Sequence, residues 1–186
     1  MLLRYPETAL VSGPIRVRPW RETDLACIEA AASDPAILDG TTVPCIFTRE
    51  QGLAFVRRQW TRLHNGEGIS QAITDATSDE ALGLIYLAQR GQPWIAGLGY
   101  WLVPTARGQH KASPAIDVVS HWALSELRFA RIEAWVAPDN LASQRALERS
   151  GFRLEGRLRN FLKVRGRLND GLVFSRTPDT DQEEET

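Results

Sequence analysis

The chain has 186 residues, close to the roughly 150 residues expected of one domain and long enough to bury a substantial core. At 43% hydrophobic and 24% charged, with six Trp, it is excluded from the disordered, collagenous and disulfide-scaffold classes. Its net charge is -1, and five acids (Asp179, Asp181, Glu183, Glu184, Glu185) lie in the last eight residues, so a uniformly basic nucleic-acid binder is not indicated, while a local basic face stays open.

In chain order, Ile15 to Pro19 alternates apolar and basic residues and predicts a short strand. Thr23 offers an N-cap to a helix carrying Leu25, Ile28 and Ala32. Thr48 and Gln51 form a capping box for a second helix whose apolar face is Leu53, Val56, Trp60 and Leu63. Beyond Asn65-Gly66, three strands are expected at Ile69 to Thr74, Leu82 to Ala88 and Ile95 to Val103. A long helix from about Ser113 to Phe129 follows, with Pro114 in its first turn and Ile116, Val119, Ala123 and Leu127 as its stripe. Ile132 to Val136 reads as a strand, and Asn140 caps a helix that ends at Gly151. Strands at Arg153 to Leu158 and Leu172 to Arg176, turning near Arg165-Gly166, complete a mixed α/β (α+β) order. Residues 1–178 are expected to form one domain, with 179–186 an acidic, disordered tail.

Cys27 and Cys45 have neither CxxC spacing nor a neighbouring His, so no metal site is expected and both read as buried thiols in a reducing, cytoplasmic setting. Arg4, Pro6, Glu7 and Pro14 interrupt any signal-peptide pattern, and no run approaches the roughly 20 apolar residues of a membrane span, so no membrane partner is expected.

The passage from the strand ending near Val103 through Arg107-Gly108-Gln109-His110-Lys111-Ala112 into the long helix is the most informative point. A basic loop feeding a helix N-terminus presents unpaired amides and the positive dipole end to an anion such as a pyrophosphate; an ordinary strand-to-helix turn fits the same residues equally well. Together with Gly99-Tyr100-Trp101-Leu102, Arg131-Ile132-Glu133-Ala134, Asn140, Ser143, Arg145, Glu148, Gly151-Phe152 and Glu155-Gly156, this loop resembles the GNAT acyltransferase superfamily, and within it the Rim-type N-acetyltransferases. The resemblance spans Ile15 to Arg176.

The resemblance implies a GNAT fold whose mixed sheet is splayed between its fourth and fifth strands and flanked by helices. Backbone groups near Leu102 and Val103 would bind the pantetheine arm of acetyl-CoA, the acyl donor, as an added strand. The loop from Arg107 and Gly108 through Gln109, His110 and Lys111 to Ala112 would hold the pyrophosphate. A primary amine, either a protein N-terminus or a small molecule, would attack directly, so positioning and oxyanion stabilisation would supply much of the rate. Ser143 matches the family's acid for the departing thiolate, although a Ser in a first helical turn also bonds local backbone. Asn140 reads as an N-cap with an implied donor contact, and Arg145 as either a solvated residue or a phosphate contact. Tyr100 and Trp101 point to opposite sides of a strand, so one lines the acceptor cleft while the other joins the core.

The chain departs from the family pattern at three places: His110 stands where the loop has glycine, Gly97 where an early strand glutamate is common, and Leu162 where some relatives carry an acidic base. Asp170 and Glu155 are nearby carboxylates that fit turn or strand-edge roles better than that of a base. His64 reads as a helix-end cation and His121 as a packing residue. The run Arg153, Arg157, Arg159, Lys163, Arg165, Arg167 fits a solvated strand face, or an anionic partner. The same residues leave open a GNAT-fold transferase with another donor, aminoacyl-tRNA or an acyl carrier protein, a noncatalytic acyl-CoA-binding module, and a homodimer.

Overall fold

The computed structural model describes residues 3–164 and 166–178; the expectations for Arg165 and for the acidic tail lie outside the described residues. The short β1 (Leu10–Ser12) and β2 (Ile15–Arg18) form a first hairpin, followed by α1 (Leu25–Ala32), the single turn α2 (Pro35–Leu38) and α3 (Arg49–His64). Next come β3 (Ile69–Asp75), β4 (Ala81–Gln89) and β5 (Ile95–Leu102), a 3-10 turn over Pro104–Ala106, α4 (Ala112–Ser125), β6 (Arg131–Val136), α5 (Leu141–Arg149), β7 (Arg153–Val164) and β8 (Arg167–Arg176).

The strands form one sheet in the order β1-β2-β3-β4-β5-β6-β8-β7. Every neighbouring pair is antiparallel except β5 and β6, which run parallel. That parallel pair is joined only at Ile95↔Arg131, Ala96↔Ile132 and Gly97↔Glu133. Beyond Gly97, β5 runs on to Leu102 with β4 as its sole strand neighbour, while β6 continues along β8. The expected splay is therefore present, between the fifth and sixth strands because β1 adds one to the count.

Local chemistry explains most element ends. The Thr48 hydroxyl accepts from the Gln51 amide at 3.1 Å, which starts α3 as expected. Asn140 Oδ1 accepts from the Ser143 amide at 3.1 Å to start α5. Gly151, at φ +77°, ends α5 in a Schellman motif, with Phe152 N–H reaching Leu147 O and Gly151 N–H reaching Glu148 O, each at 3.1 Å.

Several expectations are corrected. Thr23 does not cap α1; Asp24 precedes the helix, and its carboxylate accepts from both Arg18 guanidinium nitrogens at 2.9 Å and from the Arg21 amide at 2.8 Å. The buried face of α3 is Gly52, Phe55, Val56 and Gln59. Trp60 is exposed, with its indole N–H donating to Trp20 O at 2.7 Å, because that bond holds the ring across the helix's outer edge. His121 is exposed beside the buried Trp122, and Cys45 is exposed while Cys27 is buried. The last two strands are much longer than expected, since β7 is exposed along most of its length and β8 is buried only at Gly171, Phe174 and Ser175, which leaves the distal half of the hairpin without an apolar pattern.

The core lies on both faces of the sheet. On one, Trp20 meets Phe55 edge-on at 5.4 Å and Trp101 at 6.3 Å, beneath α1 and α3. On the other, Ala115, Ile116, Val119 and Ala123 of α4 are buried. Among the described residues no helix is long and apolar enough to cross a membrane.

Candidate functional site

The site is built where β5 leaves β6. Antiparallel pairing alternates the edge to which each residue turns its N–H and C=O. Val103 sends its N–H to Leu82 O at 2.9 Å and accepts from Ala106 N–H at 3.0 Å, so both of its backbone groups are engaged within the protein. By the same alternation Tyr100 and Leu102 face away from β4, into the gap that opens beyond Gly97. Leu102 O is held by Arg107 Nε at 3.0 Å, leaving its N–H and the Tyr100 backbone on the open edge. Of the two residues expected to make a strand-like contact, Leu102 has its N–H on the open edge, whereas both backbone groups of Val103 are bonded within the protein.

The loop that follows is preshaped. The Arg107 N–H closes the turn on Pro104 O at 3.2 Å, and its guanidinium ties the loop to Asp34 before α2. Among the described residues no protein acceptor meets the amides of Gly108, Gln109 and His110, while Lys111 closes the turn that spans 107–110. They lie immediately before the N-terminus of α4, whose own first amides lack intrahelical partners. Gly108 has φ +73° and His110 φ +56°, so the histidine occupies a left-handed conformation that glycine adopts without cost. Its ring reaches Arg149 at the end of α5, Nη1 to Nδ1 at 2.6 Å. A guanidinium only donates, so Nδ1 is the acceptor and the ring proton sits on Nε2. The side chain is thereby drawn towards α5. Lys111 turns back to Asp75, Nζ to Oδ2 at 3.6 Å, and the Gln109 amide group closes on Thr105 O at 2.8 Å.

Two expected residues meet. Tyr100 projects from β5 towards α5, where its hydroxyl lies 2.7 Å from Ser143 Oγ. Burial raises the Tyr100 pKa above its ordinary value of 10.0, and the Ser143 hydrogen bond offsets this in part. The Tyr100 hydroxyl therefore keeps its proton at neutral pH. Trp101 turns the other way and is 9% exposed against Trp20, so it joins the core. Asn140 positions Ser143 by capping its helix, whereas Arg145 is exposed on the outer side of α5.

The two carboxylates singled out from sequence are both fixed by arginine. Glu155 is gripped by Arg131 and accepts from Ser175 Oγ at 2.5 Å, which holds its carboxyl down at about 2. Asp170 accepts from Asn160 N–H at 3.0 Å and Arg157 Nε at 2.7 Å, and these contacts lower its pKa. Both are held in the ionised form by these contacts.

Sequence reasoning missed Arg90, Trp135 and Phe161. Arg90 lies at the end of β4 with its guanidinium carbon 3.6 Å above the Trp135 ring, and Phe161 meets that ring edge-on at 4.6 Å. Only the strand register brings these three together. The absence of a side chain at Gly97 was the one visible trace.

Comparison with known proteins places these features in context. The acetyltransferase (GNAT) domain model matches residues 15–153. The probable N-acetyltransferase YjcK of Bacillus subtilis is 36% identical over 124 residues, which cover 65% of this chain and 68% of that protein. Among solved structures, Mycobacterium smegmatis RimJ in complex with CoA-disulfide superposes with a TM-score of 0.78 at 22% identity, covering 96% of this chain and 89% of that one. A ribosomal-protein-S5-alanine acetyltransferase from Vibrio fischeri gives a TM-score of 0.76 at 18% identity, covering 94% and 98%.

Proposed function

The chain belongs to the GNAT family of acetyltransferases, and from that premise we propose that its N-acetyltransferase reaction runs through the gap between β5 and β6. Acetyl-CoA supplies the activated acetyl thioester, and a primary amine receives the acetyl group. The observation that carries this assignment is an open edge of β5 lying next to the Gly108, Gln109 and His110 amides, which no protein acceptor meets among the described residues.

Each residue then has a task that its geometry supports. Gly108, Gln109 and His110 bind the pyrophosphate through their amides, with Lys111 beside them and the N-terminus of α4 as reinforcement. The backbone of Tyr100 and the N–H of Leu102 hold the pantetheine amides as a neighbouring strand would. Ser143, hydrogen-bonded to Tyr100, delivers a proton to the departing thiolate, and Tyr100 replenishes it. An aliphatic ammonium with a pKa near 10.4 must lose a proton before it attacks. Neither Glu155 nor Asp170 takes it, since both are committed to arginine, so water in the gap is the proton's first acceptor. Positioning supplies the remainder of the rate. Sharing a fold with a ribosomal-protein-alanine acetyltransferase supports a protein N-terminus as the acceptor class, and the unpaired Cys27 and Cys45 support a cytoplasmic setting.

The test is isothermal titration with acetyl-CoA, followed by CoA-thiol release with N-terminal peptides and small primary amines. Saturable donor binding and amine-dependent release are expected. Absence of binding at roughly millimolar donor, a Kd limit of about -4 kcal/mol, would remove the proposal.

A further inference from the structure

The face of the sheet opposite the Tyr100 hydroxyl carries a feature that the transfer chemistry does not use. Side chains alternate along β5, so Gly97 and Gly99 lie on one face together with Glu133 and Trp135 of β6, which follow from the Gly97↔Glu133 register. Gly99 has nothing within 4 Å of the place a Cβ would take, so the strand is bare there. One wall of the resulting trough is Tyr86, opposite Gly99 on β4, with Arg62 5.1 Å from its ring centroid. The other wall is Trp135 with Phe161.

Arg90 closes the end of this trough. A Cβ on Gly97 would lie 2.1–2.3 Å from its Nε, Cζ and Nη2, so glycine is required for the guanidinium to lie across the strand. The ring of Trp135 covers one face of the cation at 3.6 Å. Its Nε is buried and has no hydrogen-bond partner. The nearby Glu133 does not satisfy it, because Glu133 Oε1 is taken by Arg131 Nε at 2.7 Å and Oε2 by the Trp135 indole N–H at 3.3 Å. Burial lowers the Arg90 pKa, offset in part by Glu133 and Tyr86, as expected of a desolvated cation without a counter-ion in contact. A stacked guanidinium leaves its N–H edge free, and that planar fork matches a carboxylate.

We propose that Arg90, stacked on Trp135 above Gly97, anchors a carboxylate carried by the acceptor, so that the enzyme selects amines with an acidic group on the same molecule. This rests on the acetyltransferase assignment above. Gly97 and Tyr100 are three strand residues apart, about 10 Å. That span fits an acidic side chain one or two residues into a peptide better than the α-carboxylate of a lone amino acid, and the two sources share the chemistry that Arg90 reads.

The experiment compares peptides that differ only by Glu or Gln at the second or third position, alongside free glutamate, using CoA-thiol release for kcat/KM and titration calorimetry for acceptor binding. The Glu peptide is expected to be favoured at least tenfold, largely through KM. In Arg90→Gln, and in Gly97→Ala, which displaces the guanidinium without removing its charge, the Glu-to-Gln ratio falls towards one, while Arg90→Lys retains part of it. Equal kcat/KM for the two peptides in the wild type, or an unchanged ratio in Arg90→Gln, would overturn the proposal, and preference for free glutamate over every peptide would overturn the peptide source. Should no acceptor turn over, the acetyltransferase assignment fails, yet equal calorimetric affinity of both peptides would still decide against Arg90.

Discussion

The hydroxyls of Tyr100 and Ser143, 2.7 Å apart, turn two separate sequence expectations into one chemical unit. Ser143 was legible because Asn-x-x-Ser at a helix start has a local signature; its partner was not, because a tyrosine on a strand says nothing of which helix it will meet. The unit makes a kinetic prediction. Tyr100→Phe and Ser143→Ala are each expected to lower kcat on the order of 10²-fold, with donor affinity preserved, and the double variant should be little worse than either single one. Stopped-flow CoA release checks this, and additive losses would separate the two roles. Because burial raises the Tyr100 pKa, the hydroxyl keeps its proton through neutral pH, and any alkaline fall in kcat attributable to it must have its midpoint above pH 10.0, its ordinary value. Trp101 shows the complementary lesson: alternation fixed that it opposes Tyr100, and only packing on Trp20 decided that it was the core member.

Among the elements, those with a chemical stop signal were readable, and those bounded only by tertiary context were not. Thr48, Asn140 and Gly151 each satisfy backbone groups within their own turn, so α3 and α5 begin or end where the sequence puts them. By contrast β1 has three residues and pairs with a single neighbour, too short for any periodicity, and the stripe of α3 was displaced because Gly52 and Gln59 are buried where apolar residues were sought. The β5-to-α4 loop combines both cases. Its passage from a glycine turn into a helix N-terminus was legible, whereas the contact that draws His110 to Arg149 depends on the end of a distant helix. An L-residue held at φ +56° costs about 1 kcal/mol. His110→Gly is therefore expected to raise unfolding free energy by about 1 kcal/mol, read from the urea midpoint at constant slope. His110→Ala, which keeps a Cβ and loses the ring, should gain nothing.

Across the whole molecule, long-range ion pairs join elements that no local pattern connects. Buried Arg18 links β2 to Asp24 before α1 and to Asp79 in the β3–β4 turn, and Arg131 of β6 bridges to Glu155 of β7 across β8. The second pair gives stability a pH dependence of known sign. The folded carboxyl of Glu155 sits at about 2 against 4.5 for the free group, so between these values the unfolded chain binds more protons. The stabilisation is complete above roughly pH 5 and is lost as pH falls towards 2. Urea titrations should show the gap between wild type and Glu155→Gln narrowing over that interval and constant above it; a gap that widens on acidification would contradict the assignment. At this scale the order of strands and helices was largely legible, and the additional β1 and long terminal hairpin were not. The three-residue seam between β5 and β6 has a mechanical corollary. Only three residue pairs join the two halves of the sheet, with α4 lying across both, so a molecule lodged in the opening would act as a clasp, adding cross-links at the seam. On the proposed donor site, occupancy is expected to stabilise the folded chain by mass action, so that the same break in the sheet which admits the donor would also let it brace the protein.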